Sequence, residues 1–345
     1  MRIITLLTLI LSAGSLALAA VPPELLTLGD LANHPDRCPP TVRMSSDVRF
    51  GDGVTLHRGQ VVQVLDFNGS DLNVGTGTDA RYTVGPNDCD LLAAANAAWA
   101  KLSPRQRAVD AKAVLADASL WPERVKCFLA GTSNGRSIPT GTEYVLRAFD
   151  QTGVSLYYPE GGNHFGNIDI KDTDLLVRAR EKAALDPDQR SSRIAEALKT
   201  VSMLNADGQP QKAPLDRTKV FVLYYGANWC TWCHRLSPTL VKTINQIAPD
   251  NPGMTVVMLD DDDQVSEMQA YMKAEKMPWP AVPKADWHKP SASLLAAFGG
   301  LGIPELLILD RYGKVIYDHA GGGPADIAKN VQALQRLSRS GAAKI

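Results

Sequence analysis

The chain is short of cysteine, of net charge and of long apolar runs, and each shortage removes a class of protein. Five cysteines in 345 residues are too few to staple a scaffold of this size, so packed cores must hold it. Apolar residues at 45% suffice for such cores. Lysine and arginine number 36 against 37 aspartates and glutamates, which leaves no basic footprint for nucleic acid. The one strongly apolar stretch, at the start, is short for a membrane span. A single C-x-x-C occurs without a second one or an H-x-x-x-H, so no four-ligand zinc set is assembled. Gly321-Gly322-Gly323 lacks the following Lys-Ser/Thr of a phosphate loop. Neither a metal nor a bound cofactor is expected.

What the chain does have begins with residues 1–19. Arg2, the apolar Ile3 to Leu11 and the small-residue pattern Ala17-Leu18-Ala19 read as a secretory signal peptide. The expectation is a secreted, periplasmic protein with no stable membrane span after cleavage, in a compartment where disulfides persist.

The most informative stretch is Val220 to Pro238, VFVLYYGANWCTWCHRLSP. A run suited to a buried strand, Val220 to Tyr225, leads through a turn into Cys230-Thr231-Trp232-Cys233 and a segment able to continue as helix. Two thiols three apart across a helix's first turn can close or open a small disulfide ring. The first meets the positive end of the helix and its unpaired N–H groups, which favour thiolate. Cys230 is therefore the candidate nucleophile and Cys233 the resolving thiol, with Trp229, Thr231 and Trp232 shaping access. His234 beside the resolving thiol is a candidate for tuning its pKa, or a solvent-facing residue. Cys230-Thr231-Trp232-Cys233-His234 is also the C-x-x-C-H pattern of covalent haem attachment. Spacing alone does not separate the two; the hydrophobic strand upstream and Pro238 downstream favour dithiol chemistry.

Trp229 to Pro238 resembles the active-site segment of the thioredoxin superfamily. Gly302-Ile303-Pro304-Glu305-Leu306-Leu307-Ile308-Leu309 is similar to its cis-proline strand, and Asp310 to Tyr317 to its closing hairpin. Met277-Pro278-Trp279-Pro280-Ala281-Val282-Pro283 resembles the tryparedoxin and nucleoredoxin branch. The resemblance implies an α/β thioredoxin fold over residues 204–340, a central mixed sheet flanked by helices. It also implies a cis Ile303-Pro304 bond facing the cysteines, with Ile303 and Pro304 contacting substrate. One departure stands out. The buried carboxylate that the family places six residues before the first cysteine is Tyr224 here, so Tyr224, Glu305 or water is left to assist proton transfer.

Upstream lies an internal repeat. Pro39 to Arg43 aligns with Pro122 to Lys126, Asp88 to Leu92 with Asp172 to Leu176, and Leu102 to Arg107 with Leu185 to Arg190, always at an offset of 83 or 84. The modules, 39–121 and 122–203, each offer short strands followed by a helical pair, Leu91–Lys101 with Pro104–Ala118 and Leu175–Ala184 with Pro187–Lys199. They resemble two small all-β SH3-like barrels, each with a helical hairpin, that dock a protein or cell-wall partner. Tyr82, Tyr144, Tyr157 and Tyr158 are a candidate ligand face, or core packing. Asp260 to Asp263 reads as a solvated loop. Cys38 and Cys89 flank the first module and are expected to pair, leaving Cys127 a buried thiol.

Together these expectations describe a multidomain, secreted thiol-disulfide oxidoreductase. It would reduce protein disulfides through Cys230 and Cys233 and be recharged by an upstream thiol reductant. The competing readings are a cell-envelope binding adaptor whose thioredoxin-like domain is only a docking platform, and a c-type haem protein.

Overall fold

The structure, a computed structural model, describes residues 24–340 apart from 78–79, 128–130, 134–135, 140 and 300–301. Residues 1–19, expected to be a signal peptide, lie outside the described residues. A short helix α1 (Leu28–Asn33), held by a Thr27 capping box, precedes the first sheet. That sheet contains β1 (Thr41–Arg43), β4 (Val61–Phe67), β5 (Leu72–Gly75) and β6 (Arg81–Val84) in the order β1-β4-β5-β6, while β2 (Val48–Arg49) and β3 (Thr55–Leu56) form a separate ribbon. Helices α2 (Leu91–Lys101), α3 (Pro104–Arg107) and α4 (Ala111–Ala116) follow.

The second module repeats this arrangement. Strands β7 (Arg124–Lys126), β10 (Glu143–Asp150), β11 (Gly153–Tyr158) and β12 (Asn163–Ile168) pair in the order β7-β10-β11-β12, beside a ribbon of β8 (Gly131–Ser133) and β9 (Arg136–Ile138). The ends of each chain segment meet at one antiparallel bridge, Met44 with Cys89 in the first and Cys127 with Thr173 in the second. An aspartate clasps each bridge. Asp90 accepts from the Arg43 N–H and Asp174 from the Lys126 N–H, both at 2.7 Å. Each module is thus a four-stranded sheet pinned at one bridge, and no further pairing between its outer strands closes a barrel among the described residues.

Several expectations need correction. The second helix of each pair is broken: α3 ends at Arg107 and Asp110 caps a new start for α4, while Ser192 caps α6 (Arg193–Lys199), which follows α5 (Leu175–Ala183). Cys38 and Cys89 remain free thiols with Cys127. Their sulfurs turn to different carbonyls, Leu31 and Pro86, because the chain meets Cys89 at Met44, six residues beyond Cys38. Burial pushes the Cys38 and Cys127 thiols up to about 12. The four tyrosines form no open face: Tyr144 and Tyr157 are buried, and Tyr82 and Tyr158 pack against the module cores.

The C-terminal sheet has β13 (Val220–Gly226) at its centre, with β14 (Met254–Asp260) parallel on one side and β16 (Glu305–Asp310) antiparallel on the other. Strands β15 (Ala281–Val282) and β17 (Val315–Ala320) complete the order β15-β14-β13-β16-β17. Every residue of β13 is buried, as expected for a strand covered on both faces. Its alternation divides the core. Val220, Val222 and Tyr224 pack with α7 (Thr231–Ile247), α8 (Val265–Glu275) and α11 (Pro324–Ser340). Phe221, Leu223 and Tyr225 pack with α6, α9 (Lys284–Trp287) and α10 (Ser293–Phe298), and with Val145 and Tyr157 of the second module.

The second module therefore shares a core with the C-terminal sheet. Arg193, 3% exposed, locks the joint. Its guanidinium donates to the carbonyls of Pro122, Leu146 and Arg147 in the module and of Tyr312 and Gly313 in the β16–β17 turn, between the rings of Trp121 and Phe298. Burial lowers its pKa to about 10, and the ring of carbonyls gives the cation acceptors that desolvation would otherwise remove. An Arg147–Asp318 ion pair at 2.6 Å adds a second tie.

Candidate active site

Strand β13 stops at Gly226, where a β-carbon would lie 2.9 Å from the Tyr224 ring. The chain turns there, with the Cys230 N–H donating to the Ala227 carbonyl. Cys230 is the N-cap of α7, and its Sγ accepts from the Cys233 N–H at 3.1 Å. The two cysteines form a disulfide, their Cα atoms 5.2 Å apart. Cys233 is fully buried and Cys230 is 5% exposed, so what little of the pair meets solvent belongs to Cys230. Trp229 and Trp232 flank it at 64% and 46% exposure, Thr231 is exposed, and the Arg235 guanidinium covers the Trp232 ring.

Ile303-Pro304 is cis. Ile303 is half-buried against the same core cluster as Cys230, and the Pro304 carbonyl accepts from the Gly321 N–H at 2.8 Å. The next residue, Gly322, abuts Trp232 so closely that a β-carbon would fall 2.7 Å from the Trp232 carbonyl oxygen. Proline loop, glycine run and the start of α7 are thus contiguous. The glycine run earns its place by close approach.

The acids after β14 are not a solvated loop throughout. Asp260 and Asp262 are 1% and 2% exposed, while Asp261 and Asp263 pair with Lys284. Both Asp262 oxygens accept from the Asn228 N–H, at 3.0 and 2.9 Å. Asp260 stands opposite Gly226 in the parallel register. Burial, followed by the facing Asp262 carboxyl, raises its pKa to about 9, so it is protonated at neutral pH. His234 is not free in solvent either: Nδ1 lies 2.7 Å from Glu275 Oε1 and Nε2 2.7 Å from the Asn228 carbonyl.

Residues 218–315 match the family model described as thioredoxin-like. The C-terminal region is a thioredoxin-like domain. Relatives include probable nucleoredoxin 1 of Arabidopsis thaliana, 31% identical over 120 residues, covering 35% of this chain and 20% of that protein. Human nucleoredoxin is 31% identical over 115 residues, covering 33% of this chain and 26% of its own length. The chain spans a fifth to about a quarter of those two relatives. Similar solved structures include thioredoxin from Wuchereria bancrofti, at 24% identity and a TM-score of 0.33 over 43% of this chain and 97% of that one. Native tryparedoxin I from Crithidia fasciculata is at 22% and 0.31, over 44% and 94%. The family match starts at residue 218 and lends no support to the SH3-like expectation for the N-terminal modules.

Within the thioredoxin-like domain, Tyr224 occupies the position where the family's buried carboxylate was expected. It lies on the cysteine face, and its hydroxyl meets the Tyr271 hydroxyl at 2.7 Å and Ser237 Oγ at 3.2 Å. Ser237 in turn donates to the Cys233 carbonyl at 2.8 Å. Burial raises the Tyr224 pKa to about 12, so this cluster stays neutral and hydrogen-bonded behind Cys233. Glu305 is 1% exposed and pairs in register with Tyr225, whose ring packs in the core on the other side of the sheet. That register turns Glu305 away from the cysteine face, so it does not stand in for the missing base. Among the described residues, no three His, Cys, Asp or Glu side chains converge as a metal site.

Sequence reasoning missed Asp262, Glu275, Ser237 and Tyr271. A signal existed for the acids: Asp260 and Asp262 continue the alternation of Val256 and Met258 beyond the end of the strand. Glu275 carries none, because only the packing of α8 on α7 brings it to His234.

Proposed function

We propose that the chain is a thiol-disulfide oxidoreductase that reduces protein disulfides through Cys230 and Cys233. The observation that carries this is the disulfide at the N-terminus of α7, with Cys233 wholly buried and Cys230 the half-cystine that keeps some exposure. In the reduced protein the Cys230 thiolate attacks a substrate disulfide, forming a mixed disulfide and releasing one substrate thiolate, which takes up a proton. Cys233 then loses its proton and attacks Cys230 Sγ. The ring disulfide forms and the second substrate thiolate leaves, so two electrons pass to the substrate. A thiol reductant restores the dithiol. Trp229, Thr231 and Trp232 border the approach, and the Ile303 backbone beside cis-Pro304 offers an edge to an extended substrate chain. The signal-like segment 1–19 supports secretion, to the periplasm. The equal strand order and matching bridges of the two modules support duplication of one SH3-like unit. The first is then the partner-docking copy, since the second is committed to the thioredoxin-like core.

Cys233→Ser tests the reading. Lacking the resolving thiol, it should accumulate mixed disulfides, seen as high-mass bands on non-reducing gels that collapse with dithiothreitol, whereas Cys230→Ser should trap far less. If Cys233→Ser traps nothing and purified wild type fails to reduce insulin, the adaptor reading replaces this one. A covalently attached chromophore in the purified protein would make it a haem protein.

A further inference from the structure

The hydrogen-bond inventory around His234 fixes its charge. Nε2 faces the Asn228 carbonyl at 2.7 Å; a carbonyl only accepts, so Nε2 bears a hydrogen. In a neutral ring the bare lone pair of Nδ1 would then point at the Glu275 carboxylate, 2.7 Å away on a side chain only 10% exposed. Two acceptors demand two donors, which the imidazolium alone supplies. The surroundings agree. On α8, Glu275 and the edge-on Tyr271 ring at 4.9 Å face the imidazole. From the loop after β14 the Asp262 carboxylate adds attraction, while Arg235 on the same helix is turned onto Trp232. The Glu275 hydrogen bond, the largest cause, lifts the His234 pKa above its ordinary value against a smaller loss from burial.

Asn228, two residues before Cys230, is held at both of its backbone polar atoms: Asp262 takes its N–H and His234 takes its carbonyl. The same histidine starts one residue after Cys233, in the first turn of α7, where the helix's own positive end lies.

We propose that His234 is a fixed imidazolium acting as a positioning residue, clamping the Asn228–Cys230 turn to α8 through Glu275 so that the Cys230 sulfur stays seated at the N-terminus of α7 and rests there as thiolate once reduced. The inference rests on the dithiol reading above. When a thiol reductant delivers two electrons to the ring disulfide, Cys233 takes one proton and Cys230 takes none, its charge held at the N-cap of α7.

Two measurements on the full-length protein test it without relying on turnover. Ring-nitrogen NMR of reduced wild type should show both His234 nitrogens protonated at neutral pH, with a titration midpoint that falls in Glu275→Gln. In the Cys233→Ser background, alkylation of Cys230 by iodoacetamide near pH 6 should slow several-fold in His234→Gln, up to the limit of about tenfold for one pKa unit, and recover in His234→Arg. A His234 that titrates at the ordinary value overturns the proposal. So does an alkylation profile unchanged by His234→Gln, or one lowered equally by His234→Arg, which would mark a packing role. If His234→Gln does not fold, Glu275→Gln carries the alkylation test, with the same slowing expected and an unchanged profile refuting. Insulin reduction by wild type, measured in parallel, reports separately on the dithiol reading.

Discussion

Replacing Asp260 by asparagine should flatten the dependence of stability on pH. Its carboxyl has a pKa near 9 in the folded protein against about 3.9 in an unfolded chain. Between those values the folded state holds a proton that the unfolded state has released, so the unfolded state gains on the folded state as pH rises. One proton corresponds to about 1.4 kcal/mol per pH unit, so this group removes roughly 2.7 kcal/mol between pH 6 and pH 8. Asparagine has the same shape and carries no titrating proton. Urea unfolding at the two pH values, followed by tryptophan fluorescence, measures the effect; Trp287, whose indole donates to the Asp260 carbonyl at 2.7 Å, reports from the spot. All other titratable groups are common to the two proteins and cancel in the comparison. Equal losses in wild type and Asp260→Asn over that interval would show that Asp260 is not a buried acid, and the reasoning would fail.

Three further outcomes are expected. Arg193→Met orphans buried carbonyls on both sides of the joint, at about 1–3 kcal/mol each where no water replaces the donor; thermal unfolding should show a loss of at least ~3 kcal/mol, and a shift under 1 kcal/mol would mean the guanidinium is dispensable. Gly322→Ala brings a β-carbon against the Trp232 backbone, so insulin reduction should drop on the order of tenfold or more with little change in melting temperature. Tyr224→Phe removes one member of the hydroxyl cluster behind Cys233 and should cost about 1–2 kcal/mol in denaturant unfolding; a neutral result would mean Ser237 and Tyr271 re-pair without it.

The strand-turn-helix around the cysteines was legible because several local signals coincide: an unbroken apolar run, a turn, and two thiols at helical spacing. The repeat was legible for a different reason, since a constant offset survives ignorance of the fold, and the two aspartate-clasped bridges fall on aligned positions. What stayed hidden depends on contacts between distant segments. Arg193 reads as an ordinary helix-surface cation, and nothing local tells that five carbonyls await it. Ile194 and Leu198 announce a buried helix face without naming the sheet it covers. The Cys38–Cys89 pairing failed because sheet ends were placed together correctly in outline but off by six residues in detail.

The unequal burial of the two half-cystines carries a kinetic consequence. On the proposed dithiol reading, a reductant and an oxidised client both form their bond at Cys230, since Cys233 is wholly buried and the opposite side of the sheet is occupied by the second module. They are therefore alternating visitors to one doorway, and no complex can hold both. Initial rates with reductant and client varied together should give parallel double-reciprocal lines, and an excess of either should slow the reaction by crowding out the other.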